Sequence, residues 1–175
     1  EGAYLPGTTT APLSRTGEIG RQLFSDFIAL KSQNQATTEN LTALANNYAE
    51  SIANFDVNTQ KVGRDRIITL SDSEENFITY GRAIVGIRNK YKNLVTAETN
   101  TSGNITDIGS KDFLKFMAEV GKLYQASADE LLGLGVPSAL AENHVNLINS
   151  YLASARAMEL ISNTSNDPVL AYTAL

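Results

Sequence analysis

The sequence predicts an all-α protein: an antiparallel bundle of about five helices, three long and two shorter, with a helical stub at the C-terminus. Three observations predict it. Apolar residues recur at alternating intervals of three and four along residues 73–95, 110–132 and 138–162, the spacing of a helix face turned to a partner. Stretches rich in Gly, Pro, Asn and Thr separate these runs, as helix ends require. No segment alternates apolar and polar residues convincingly enough for a strand, and no internal repeat is present.

Residues 1–15, opening Glu1-Gly-Ala-Tyr-Leu-Pro-Gly, read as an exposed tether, and residues 16–175 as a single helical-bundle domain. Ser14 to Thr16 offer the first cap, and Ile19, Leu23, Phe24, Phe27, Ile28 and Leu30 form a helical face running to about Lys31. After the polar turn 32–37, Thr38 reads as the cap of a second helix whose one-sided pattern is Leu41, Leu44, Ala45, Tyr48 and Ile52. Residues 55–69 read as a crossing loop with room for a short extended or helical piece. Ser71-Asp-Ser-Glu74 has the form of a capping box.

The third helix then shows Phe77, Tyr80, Ile84, Ile87, Tyr91 and Leu94, with close packing expected at Gly81 and Gly86 to offset their poor helicity. Residues 96–109 read as a surface loop. Ser110 and Asp112 open the fourth helix, whose stripe is Phe113, Met117, Val120, Tyr124, Ser127 and Leu131. Gly133 or Gly135 is expected to end it in the left-handed conformation, and Pro137 to sit in the first turn of the fifth helix. That helix carries two adjacent stripes, Leu140, His144, Leu147, Tyr151 beside Ala141, Val145, Ile148, Leu152, and so touches more than one neighbour. Asp167-Pro168 reads as an N-cap and first-turn proline opening the stub.

A chain of 175 residues is long enough to bury roughly 70% of its unfolded surface. Its net charge of −5 disfavours nucleic acid as a partner, since phosphate binding needs a basic surface. The absence of cysteine removes disulfides, thiolate catalysis, iron–sulfur clusters and cysteine zinc sites. No stretch is long and apolar enough to span a membrane. An export signal or membrane anchor upstream of Glu1 is the expected link to a membrane; the alternative is a disordered cytosolic arm.

His144 is the only histidine and falls on an inward stripe, so it reads as a packed histidine. Met158 is about 21 Å along the same helix, and Met117 lies roughly 13 Å off across the hairpin, at ~1.5 Å per residue. Neither can share a metal with the imidazole. Glu142 lies on another face, and no Glu-x-x-His pair exists for a di-iron site. There is no Gly-x-Ser-x-Gly elbow for a hydrolase, and Gly133-Leu-Gly135, though it has the outline of a phosphate loop, has no strand expected before it.

Glu74-Glu75 and Asp129-Glu130 read as solvated acids. Arg82, Arg88, Lys90 and Lys92 read as a solvated basic face whose tyrosines, Tyr80 and Tyr91, belong to the core; the alternative is contact with an acidic partner or anionic lipid. Asn-x-Ser/Thr sequences begin at Asn40, Asn100, Asn104 and Asn163, a number close to chance in so Asn-, Ser- and Thr-rich a chain. No catalytic, cofactor-binding or metal-ligating residue is assigned, and no cofactor is expected.

The run Leu131-Leu-Gly-Leu-Gly-Val-Pro137, followed by His144, Leu147, Asn149 and Asp167-Pro168 and preceded by Tyr80-Gly81, resembles a group of uncharacterised helical proteins of ultrasmall candidate-phyla bacteria. Those proteins are carried outside the cytoplasmic membrane behind an N-terminal hydrophobic segment. The resemblance implies an extracytoplasmic, N-terminally anchored protein and brings no activity or site residues with it. The function expected is therefore a non-enzymatic module acting through protein–protein contact in the cell envelope, a secretion or pilus component being one version by analogy of fold. The second expectation is a bundle enclosing a small apolar ligand between the third, fourth and fifth helices.

Overall fold

The computed structural model describes residues 14–53, 61–102 and 109–174. The tether expected over residues 1–15 falls almost wholly outside them. Among the described residues the chain forms six helices, α1 (Arg15–Ser32), α2 (Thr38–Ala53), α3 (Glu74–Ser102), α4 (Lys111–Leu132), α5 (Ala141–Ser162) and α6 (Pro168–Tyr172). Two three-residue strands, β1 (Ile68–Leu70) and β2 (Gly135–Pro137), pair in parallel, with Ile68 opposite Gly135 and Leu70 opposite Pro137. The fold is helical, as the periodicity predicts. The strands are too short to show an alternating pattern, which is why that pattern missed them.

The local signals explain most helix ends. Ser14 Oγ accepts from Gly17 N, and Ser110 Oγ accepts from Phe113 N, each satisfying one orphan donor of a first turn. Asp167 accepts from Leu170 N, with Pro168 in the first turn of α6. Two caps are displaced from their expected places. Thr37, not Thr38, accepts from Asn40 N. Ser73, not Ser71, accepts from Asn76 N, and Asn76 Nδ2 reaches back to the Ser71 carbonyl at 2.8 Å. In both cases the capping hydroxyl accepts from the amide three residues on, just ahead of the first helical turn.

Four further expectations are corrected. Helix α3 continues through residues 96–102, where a loop was expected. The hydroxyls of Thr96 and Thr99 donate to the carbonyls of Lys92 and Val95, so these polar residues bond within the helix instead of breaking it. Gly81 and Gly86 are not closely packed: a Cβ built on either meets nothing within 4 Å, because both face solvent. Neither Gly133 nor Gly135 is left-handed. Gly133 has φ −79°, ψ −6°, and the positive φ values among the described residues are at Asn34 and Gly109. Gly135 instead gives room to the paired strand: its Cβ would lie 2.7 Å from Leu70 Cδ1, so a larger residue there makes the Leu70 side chain shift. Pro137 closes β2 ahead of a single 3₁₀ turn, Ser138–Leu140, so α5 starts four residues later.

Helices α4 and α5 run in opposite directions. The Leu131 carbonyl meets His144 beside the connection, and Gly121, farther back in α4, sits against Ala155 and Met158. A Cβ on Gly121 would be 3.2 Å from Met158 Cβ and 3.3 Å from the Ala155 carbonyl, so the glycine sets how closely the two backbones approach. The core lies where this hairpin meets α3 and the segment before β1: Ile67, Ala128, Leu131, Ala141, Ile148 and Leu152 form one buried cluster. Leu131 and Ile148, 2% and 1% exposed, each contribute roughly 1.5–3 kcal/mol of burial. The 61–63 segment is pinned to α5 by Asn149, whose Oδ1 accepts from Val62 N at 2.8 Å while its Nδ2 donates to Val62 O at 3.1 Å.

Candidate functional site

The lone histidine is committed to structure. His144 is fully buried near the start of α5, with Nε2 3.0 Å from the Leu131 carbonyl and Nδ1 3.0 Å from the Tyr80 hydroxyl. A carbonyl only accepts, so Nε2 carries the proton and Nδ1 accepts from Tyr80. Burial pushes the imidazole pKa down, against the opposing effect of the Leu131 carbonyl, and the ring is neutral at pH 7. It adds a bond to the Leu131 carbonyl, which also accepts from Leu134 N, and joins α3, α4 and α5 through a single side chain. Tyr80 packs edge-on against it, with ring centroids 5.5 Å apart. Both ring nitrogens are occupied. Among the described residues, no three His, Asp or Glu side chains converge to hold a metal ion.

The acidic pairs separate. Glu74 and Glu75 are exposed at the start of α3. Asp129 is exposed and accepts from Gln125 Nε2. Glu130 was expected to be solvated, but it accepts from the Tyr91 hydroxyl at 2.9 Å and from Lys90, tying α4 to α3. Its carboxyl is held below the ordinary range by Lys90 first and then by Tyr91. Burial, then the bond to Glu130, pushes the Tyr91 phenol up. Asp72, an intervening residue of the expected capping box with no role assigned to it, accepts from Ser138 Oγ and Ala139 N and so holds the turn before α5.

Among the described residues, two surfaces stand out. The first is the α1–α2 hairpin. Helix α2 has no buried residue, and α1 has one, Ile19. Between them runs an apolar groove of about 530 Å³, lined by Leu23, Phe24, Phe27, Leu41 and Leu44. Phe24 is 65% exposed and Ile28 45%. A polar tie crosses the hairpin, from the Tyr48 hydroxyl to Asp26 at 2.6 Å, which pushes the Tyr48 pKa up to about 12. The hairpin is anchored at one end by Asp167, which accepts from the backbone of Arg15 and Thr16 and from Thr16 Oγ1. Burial raises the Asp167 pKa, but these bonds outweigh it and hold the carboxyl below its usual value.

The α1–α2 seam carried a signal in the sequence. Leu23, Phe27 and Leu30 make one stripe and Phe24 and Ile28 a second, which is more apolar surface than α2 alone can cover.

The second surface is a groove of about 330 Å³ between α3, α4 and α5, where a small apolar ligand was the second expectation. Its walls are Tyr91, Tyr124 and Tyr151, with Arg88 and Lys92 on the α3 side, so it is amphipathic. Of the four basic residues of α3, Lys90 is paired with Glu130, and Arg88 and Lys92 face this groove.

No protein-family model, curated protein or solved structure matches the chain.

Proposed function

We propose that this chain is a non-enzymatic helical module that works by protein–protein contact, its docking element being the α1–α2 hairpin. The single observation that carries the reading is the apolar seam of that hairpin, with Phe24 65% exposed and no residue of α2 buried. Short helices are marginal in water without tertiary cover, and an exposed apolar strip of this kind marks an interaction surface. A trough between two helices fits an amphipathic helix laid along it, with apolar residues one turn apart as anchors. Both ring nitrogens of His144 are bonded within the core, which leaves the single imidazole no open nitrogen to offer a substrate and agrees with a binding role. The setting we propose is extracytoplasmic, with membrane attachment through a segment upstream of Glu1; none of the described helices is long and apolar enough to cross a membrane.

The test is a photoreactive phenylalanine analogue placed at Phe24 in the cells that make the protein. A discrete adduct with a second protein is expected, lost on Leu44→Asp and absent when the analogue replaces Gln22 on the same helix. The same adducts from Gln22, or adducts indifferent to Leu44→Asp, would remove the seam from consideration.

A further inference from the structure

We propose that the groove between α3, α4 and α5 is a binding site for a small amphipathic anion, an aromatic body bearing one carboxylate or phosphate. The inference stands apart from the docking seam, on different helices. The groove's volume, about 330 Å³, lies at the small end of ligand sites and admits a single-ring compound. Tyr124 and Tyr151 both line the groove, ring centroids 5.8 Å apart and tilted by 55°, an aromatic pair against which a further ring can pack. Their hydroxyls hydrogen-bond to no described residue, whereas the Tyr91 hydroxyl is taken by Glu130. Two phenol groups are thus left to contact an occupant.

The charge completes the pattern. Arg88 and Lys92 stand one helical turn apart on α3 and both line the groove. Neither pairs with a carboxylate among the described residues, although the chain carries a net charge of −5 and Lys90, between them in sequence, does pair. An unpaired guanidinium and ammonium at the edge of an aromatic slot recognise an anionic head on a planar body. A neutral apolar compound would leave both cations and both phenols unused.

Amide chemical shifts of the whole protein, titrated with 3-phenylpropionate, phenyl phosphate, 3-phenylpropanamide and inorganic phosphate, test this. Either aromatic anion is expected to bind at about 1 mM or tighter, moving the signals of Val95, Tyr124 and Tyr151. The tighter of the two identifies the head group. The neutral amide and inorganic phosphate are each expected to bind at least about tenfold more weakly, as is either anion to R88Q/K92Q. Arg82→Gln, an exposed cation elsewhere on α3, and Leu44→Asp in the seam are expected to change nothing. No binding by either aromatic anion, equal binding of the amide or of inorganic phosphate, an unaffected R88Q/K92Q variant or shifts confined to another face would each overturn the proposal.

Discussion

Replacing Gly81 and Gly86 together by alanine is expected to stabilise this protein by about 2 kcal/mol. Both glycines lie inside α3, and a Cβ at either would meet nothing within 4 Å. Alanine therefore gains its helix preference, about 1 kcal/mol per site, with no steric cost against it. For a chain of this length each kcal/mol moves the melting temperature by about 2–4 °C. Gly121 is the internal control. There a Cβ comes 3.2 Å from Met158 Cβ and 3.3 Å from the Ala155 carbonyl, so the same preference is offset by crowding and alanine is near neutral. Valine adds two more methyl groups to that gap and is expected to destabilise by about 1–3 kcal/mol. Urea and thermal denaturation followed by far-ultraviolet circular dichroism measure all three variants on one scale. A destabilised G81A/G86A variant would mean that something packs on the solvent side of α3. A Gly121→Val variant as stable as Gly121→Ala would mean that α4 and α5 do not meet at that glycine.

Two other predictions concern the buried titratable groups. Burial depresses the folded-state pKa of His144 below 6.5, so the unfolded chain binds the proton more readily; stability is complete above pH 6.5 and declines as the pH falls below it. His144→Phe is expected to abolish that slope in urea titrations between pH 7.5 and pH 5 while losing about 1–3 kcal/mol at pH 7.5, and an unchanged slope would assign it to another group. Asp167→Ala removes the acceptor for Arg15, Thr16 and Leu170 at a loss on the order of 3 kcal/mol. Hydrogen exchange is expected to show that loss in α1 and α2 first, with α4 and α5 still protected; uniform loss would refute a separable hairpin. Because the Asp167 pKa is depressed, wild-type protection of α1 should persist above pH 3.8 and fade below it.

What was legible in the sequence follows the range of the interaction. Ser110, Asp167 and Pro168 act on amides three residues away or on their own φ, and the sequence reading places them correctly. Asp72 acts on Ala139, 67 residues on, and Glu130 on Tyr91, 39 residues back. Nothing local distinguishes those carboxylates from solvated ones, so Asp72 was given no role of its own and Glu130 was read as surface. Gly135 shows the same limit, because its constraint is the Leu70 side chain on the paired strand. The second expectation placed a ligand between these three helices, but the three tyrosines were legible only as separate core positions. Tyr91, Tyr124 and Tyr151 each fall on an inward stripe, but the relative rotation of three helices decides whether they fill the core or wall a groove.

The molecule is unevenly built, and the unevenness separates its two proposed surfaces. At one end, the α4–α5 connection, the paired strands and His144 concentrate the fully buried residues, and one ring bonds to groups from two other helices. At the other, α1 and α2 form a hairpin with a single buried side chain, held to α6 by one carboxylate and by Thr16 Oγ1 accepting from Val169 N. A partner helix laid on the seam would supply the apolar cover the hairpin lacks, adding stability in proportion to the occupancy of the complex. The tyrosine groove is walled by helices the core already fixes, so a small anion entering it has little backbone to order. Binding at the seam should therefore raise protection across α1 and α2, and binding in the groove should leave them unchanged.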